Sequence, residues 1–316
     1  MVWKGWDFFP HGTRIDFMRY KGLCLIASLI AMVISLGLFV VPGLNYGIDF
    51  KGGTLVEIGS RSGPADIGGI RAKLNSLGLG DVQVQEFGTP EDVLIRVEGQ
   101  AGGEKADQAV VDKIKGALGD SVDYRRTEVV GPAVSSELRT TGIIAVLVSI
   151  LVICAYVWFR FEWQFAAGVV LALFHDVLTT VGVFAITQIE FDLSVVAALL
   201  TIVGYSVNDS VVVSDRIREN LRKYKKMPMT ELLNLSVNET LSRTILTSSF
   251  TAIVLIALIF LGGAVIRPFA FAILFGIAVG TYSSIFVAAP LLDYLHVKRD
   301  WSQSGAGKRE RAKPAV

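Results

Sequence analysis

Six runs of about 20 mostly apolar residues divide this chain, and few folds can accommodate them. They cover residues 22–41, 138–159, 163–186, 193–215, 244–262 and 269–292. Each is close to the length that carries a helix across a hydrocarbon core about 30 Å thick. In that medium every backbone N–H and C=O must be satisfied internally, and a helix does this within one segment. The runs therefore predict a polytopic α-helical membrane protein with six transmembrane helices. Composition agrees, with 52% hydrophobic residues among 316 and a mean hydropathy of +0.53. A net charge of +1 supplies no field for nucleic acid, and none is expected as a partner. Cys24 and Cys154 both fall in apolar runs, with neither metal-ligand spacing nor a disulfide framework. The first run lacks a small-x-small cleavage site, so it reads as a span and not as a cleaved signal peptide.

Lys and Arg placement predicts the orientation. Lys4, Arg14, Arg19 and Lys21 precede the first span. Arg216, Arg218, Arg222, Lys223, Lys225 and Lys226 lie between the fourth and fifth, and Lys298, Arg299, Lys308, Arg309, Arg311 and Lys313 follow the sixth. Six spans put all three groups on one side, which the positive-inside rule assigns to the cytoplasm. The loop 188–192 carries Glu190 and Asp192 and no base, and it falls on the other side. The expected layout is a cytoplasmic tail at 1–21, a first helix at 22–41, a periplasmic domain at 43–137, helices two to six within 138–293, and a cytoplasmic tail at 294–316. Residues 15–20 mix apolar and basic side chains. With Trp3, Trp6, Phe8 and Phe9 they read as a segment at the inner membrane interface. The tail beyond Trp301, rich in Gly, Ser and Lys/Arg, reads as disordered.

Residues 43–137 are too many for a loop. Residues 54–58 alternate like a strand, and 64–77 place Ile67, Ile70, Leu74 and Leu77 on one helical face. Residues 82–87 and 93–97 read as strands, and 104–118 as a second helix with Val110, Ile114 and Leu118 on its apolar side. Residues 122–129 supply a last strand. The order strand, helix, strand, strand, helix, strand is that of a small ferredoxin-like α/β domain.

Four places in the spans are polar without structural need. Asp209 stands in Gly204-Tyr205-Ser206-Val207-Asn208-Asp209-Ser210, between apolar stretches. A carboxylate there costs roughly 2.5–3.5 kcal/mol on insertion scales, and such residues usually serve ion or proton movement. The bland alternative is that Asp209 marks the inner end of its span. His175-Asp176 lies mid-way along the third span, where function and helix bridging are equally open. Arg243 enters the fifth span, followed by the hydroxyls of Thr244, Thr247, Ser248, Ser249 and Thr251. The fourth and fifth spans are antiparallel neighbours, so Asp209 and Arg243 come to similar depth. An ion pair between them would satisfy both charges, with burial and Coulomb attraction pulling the carboxyl in opposite directions. The alternative for Arg243 is an ordinary positive flank. No phosphate loop, His-Glu-x-x-His or Cys-x-x-Cys is present, so neither an enzyme nor a cofactor or metal site is expected.

Three stretches resemble the SecF family of bacterial protein-export subunits. They are Gly47-Ile48-Asp49-Phe50-Lys51-Gly52-Gly53-Thr54, the run from Val203 to Asn220 around Asp209, and the run from Asn238 to Ser248 around Arg243. The resemblance covers nearly the whole chain except its two tails. It implies pairing with SecD as a heterodimer, forming a twelve-span assembly of the resistance-nodulation-division type. That assembly would act beside the SecYEG channel and use the proton-motive force to help preproteins across the cytoplasmic (inner) membrane. The resemblance also brings in YidC and its accessory proteins as candidate partners. It matches Asp209 and Arg243 to charged positions implicated in proton coupling. His175, Asp176, Asn208, Thr247 and Ser248 remain relay or helix-bridging candidates, and Asp215 and Arg216 mark the inner end of the motif. The competing reading is a half-transporter of a lipid or drug exporter from the same superfamily, which would need a much larger external domain.

Overall fold

The computed structural model describes residues 13–297 except 62, 101, 103 and 264. The aromatic residues between Trp3 and Phe9 and the tail beyond Trp301 lie outside the described residues. The helices are α1 (Lys21–Val40), α2 (Ile48–Lys51), α3 (Ile67–Asn75), α4 (Glu104–Leu118), α5 (Pro132–Arg160), α6 (Trp163–Thr187), α7 (Leu193–Lys223), α8 (Met229–Leu261), α9 (Arg267–Ser283) and α10 (Ala289–Tyr294). Four strands, β1 (Gly53–Ser60), β2 (Val82–Phe87), β3 (Thr89–Val97) and β4 (Val122–Val130), lie between α2 and α5.

The strands form one antiparallel sheet in the order β2-β3-β1-β4, as a split βαβ arrangement requires. Asp66 caps α3, its Oδ1 accepting from Gly69 N at 2.9 Å, so the helix begins after Pro64 and not at it. Val56, Ile58 and Ile95 face Leu74, Val110 and Ile114 in a shared core. The alternation expected of β1 is not what burial shows. Leu55 and Leu94 point to the opposite face and pack on Ile48 of α2, so the central strands are covered on both sides. Each such fully buried aliphatic side chain contributes roughly 1.5–3 kcal/mol.

Among the described residues, six helices are long and apolar enough to cross a membrane. About half of the apolar stretch of α6, α7 and α9 is buried by protein (50%, 44% and 56%), against 11%, 17% and 11% for α1, α5 and α8. The first three therefore form the centre and the others the rim. Glycines let the central helices approach closely. A Cβ at Gly276 would collide with Ile202 across the α7–α9 interface, and one at Gly182 with Ser35 of α1. After α9 the helix widens into a five-residue π segment, Ser284–Ala288. Pro290 follows, with no N–H to give and a ring that crowds the carbonyl four residues back.

α7 and α8 run past their apolar stretches as a helical hairpin. Ile217, Leu221, Leu232, Leu233 and Val237 are buried there. Asn220 Nδ2 donates to Ser236 Oγ at 3.0 Å and to Glu239 Oε2 at 2.6 Å. The segment expected at the membrane interface is a 3-10 turn, Phe17–Tyr20, preceded by residues pinned to this hairpin. Asn238 exchanges two hydrogen bonds with the Ile15 backbone at 2.9 and 2.8 Å, Met18 N donates to Asn234 Oδ1 at 3.0 Å, and Met18 is buried.

The α/β domain has a closed core of its own, so residues 43–137 expressed alone should give mixed α/β circular dichroism and dispersed amide resonances. Ile95→Ala in that fragment should lower its unfolding free energy by roughly 2–5 kcal/mol in a urea titration. A random-coil spectrum from the unsubstituted fragment would show that the domain needs the membrane helices to fold.

Candidate functional site

Two polar centres stand in the helical bundle, and they are solved differently. The inner one is Asp176, whose side chain is fully buried where α6, α7 and α9 meet. Oδ2 accepts from Ser206 Oγ of α7 at 2.6 Å and from Ser283 Oγ of α9 at 2.8 Å. Oδ1 lies 2.9 Å from His175 Nδ1. With the carboxylate ionised, that ring nitrogen is the donor. Three donors replace the hydration that a buried carboxylate loses, a loss of several kcal/mol if left unanswered. Gly280 faces this point, where a Cβ would sit in ordinary contact 3.4 Å from Oδ2.

The network extends outward. The His175 ring lies 5.9 Å from that of Tyr282, and the Tyr282 hydroxyl donates to Cys24 O at 3.0 Å while pairing with Ser28 Oγ at 3.0 Å. Four spans, α1, α6, α7 and α9, thus share one chain of polar contacts. Immediately after Ser283 comes the π segment, whose Ile285 and Ala288 pack back into the bundle.

The outer centre is Asp209. It is half-buried on α7, and the exposed Asn208 stands next to it. Thr201, Tyr205 and Asn208 form an exposed stripe at helical spacing, and Arg243 and Thr247 are exposed on neighbouring α8. Asp209 and Arg243 share no hydrogen bond or close ion pair, although Arg243 is near enough to act on that carboxylate electrostatically. The direct pair expected of these two residues is not formed. Two buried hydroxyls adjoin these residues, and neither Ser210 Oγ nor Thr244 Oγ1 has a partner.

The remaining candidates divide by location. Thr247 Oγ1 bonds within its own helix, to Arg243 O at 3.0 Å and Thr244 O at 2.9 Å. Ser248 bridges helices, 2.9 Å from Thr281 Oγ1 on α9. Arg216 belongs to the hairpin, where it holds Glu239 at 2.7 Å and Glu219 at 2.6 Å. Asp215 lies 3.8 Å from Arg160 and is largely exposed. Ser206 reads in sequence as part of the polar cluster around Asp209, yet it turns to Asp176 on the far side of α7. Ser28, Tyr282 and Ser283 carry no sequence signal beyond being hydroxyls in apolar runs.

The chain is similar to known proteins along most of its length. Residues 110–298 match the model of the C-terminal region of the protein export membrane proteins SecD/SecF, and residues 37–62 match the SecD/SecF GG motif. The chain is 46% identical over 288 residues to the protein translocase subunit SecF of Vibrio alginolyticus, covering 90% of this chain and 91% of that one. It is 50% identical over 289 residues to the SecF of Magnetococcus marinus, covering 90% and 93%. It is also 44% identical to the SecDF of Brucella abortus, where 94% of this chain matches 39% of that longer protein. The crystal structure of SecDF from Thermus thermophilus superposes with a TM-score of 0.81 at 36% identity, over 92% of this chain and 40% of that one. The chain belongs to the SecD/SecF family of protein-export membrane proteins.

Proposed function

We propose that this chain is one half of a proton-driven export assembly, whose other half is a SecD-type chain. The observation that carries this reading is the polar face on which half-buried Asp209 lies beside exposed Asn208 and near exposed Arg243. Charged groups within a span avoid lipid and face a bundle interior or a water-filled cavity. Among the described residues no helix covers that face, so a second bundle is needed to enclose it. The longer SecDF relatives support the same division, since this chain matches about two-fifths of their length. Enclosed between two halves, Asp209 takes up and releases protons, and Arg243 changes the balance between its two states.

The assembly works in the bacterial inner membrane with both termini in the cytoplasm, as the Lys and Arg placement supports. The domain organisation predicted from sequence, including a periplasmic domain at 43–137, belongs to the same proposal. A preprotein emerging from a SecYEG-type channel is the substrate, and YidC with its accessory proteins is a further candidate neighbour. His175 and Asp176 serve as the hub that holds α6, α7 and α9 in register while Asp209 titrates.

Asp209→Asn should leave membrane accumulation unchanged and remove most of the proton-motive-force-dependent export, measured by preprotein translocation in inverted vesicles. Normal export by that variant would contradict the reading. In a double-mutant cycle with Arg243→Gln, export defects should be non-additive by roughly 0.5–3 kcal/mol, as expected for coupled charges. Purified in mild detergent from its native membrane, the chain should bring down a second six-span protein. Recovery as a monomer that stimulates export unaided would rule out the two-half assembly.

A further inference from the structure

The five residues between α6 and α7 do more than reverse the chain. Residues 43–50, which lead into the α/β domain, are bound to them on every side. Gly47 N donates to Phe191 O at 3.0 Å, and Phe191 N donates to Asn45 O at 2.8 Å. Asn45 Nδ2 donates to Gln188 O at 2.9 Å, and Gln188 Nε2 returns a bond to Gly43 O at 3.1 Å. Asp49 Oδ2 accepts from Leu193 N at 2.9 Å, at the first turn of α7. Tyr46, Phe50 and Phe191 pack edge-on or tilted about 6.1 Å apart.

The joint also reaches the sheet itself. Arg96 lies on β3 opposite Leu55 of β1, is nine-tenths buried, and forms an ion pair with Glu190 in the loop. Glu190 packs against Gly47 so closely that a Cβ there would stand 2.8 Å from Oε1. Burial pushes the Glu190 carboxyl above the usual carboxylate range and Asp192 and Asp49 add to this, while Arg96 opposes them. Arg96 is therefore the cation that favours the ionised form of Glu190.

We propose that Arg96 and Glu190 are positioning residues for export: their ion pair fastens the α/β domain to the loop joining α6 and α7, so that movement of α7 moves the domain. The inference rests on the reading of Asp209 given above. α7 carries Asp209 in its body and this joint at its first turn, with a five-residue loop that has little slack to absorb a shift. α6 carries Asp176 and enters the same loop from the other side. A change of charge at Asp209 that shifts α7 against α6 would thus be delivered to the base of the sheet. Without the ion pair, the membrane site would still titrate while the domain failed to follow.

The test uses the full chain assembled with its partner in vesicles. Arg96→Glu and Glu190→Arg should each lower export at least tenfold, because each sets two like charges against one another where a buried pair stood. The combined exchange of the two charges should restore at least half of the wild-type rate. Proton uptake that depends on Asp209 should persist in both single variants, which a merely misfolded protein would not show. Should the reversed charges prevent accumulation, Arg96→Lys and Arg96→Gln decide the matter: the lysine variant should export and the glutamine variant should not. Normal export by Arg96→Glu, or by Arg96→Gln, overturns the joint while leaving the Asp209 reading intact. So does a doubly exchanged protein that accumulates normally and stays inactive. Normal export by Asp209→Asn would instead remove the reading beneath it.

Discussion

Asp176 is the interaction on which the membrane part is organised. A fully buried carboxylate among apolar helices is tolerable only with its oxygens satisfied, and its donors come from α6, α7 and α9. The helices that supply them are also the three most buried. Between lipid-soluble helices the hydrophobic effect supplies no preference for one partner over another, so close packing at small residues and polar contacts must choose the register. Gly276 on α9 permits the approach, and Ser206 and Ser283 make the bonds that use it.

The same helix α7 presents the opposite solution a turn further on. Asp209 is left half-open with its neighbours Asn208 and Tyr205 exposed, and Arg243 stands near it without a bond. One carboxylate is therefore fixed by hydrogen bonds within the bundle and the other is left half-open. A site meant to change its charge cannot be held as firmly as Asp176. On the proposed reading, stability falls to Asp176 and activity to Asp209, so the bundle keeps its register while the outer site works.

Much of this was legible in the amino-acid order. Six apolar runs of spanning length, the two amphipathic helices and the alternation of β2 announce themselves through period and length alone. Residues 229–243 were hidden because their apolar side chains are spaced among polar ones and are buried only by the extension of α7 and the docked segment around Met18. β1 and β3 are covered on both faces, which alternation cannot signal. The site was half visible. A charged residue in a span is conspicuous, so Asp176, Asp209 and Arg243 stood out. The face of the helix that each occupies depends on packing, and so Ser206 was grouped with the wrong carboxylate. A serine or tyrosine in an apolar helix has no such visibility, and Ser28, Tyr282 and Ser283 acquire their meaning only from what lies across the interface.

On the proposed reading, Asp209 changes protonation during work. Infrared difference spectroscopy on the chain assembled with its partner reads this directly, through the carbonyl stretch of a protonated carboxyl as pH is stepped. The account predicts a pH-dependent band that disappears in Asp209→Asn and survives unchanged in a Ser206→Ala variant, where only the inner network is altered. A band that persists in Asp209→Asn would contradict it.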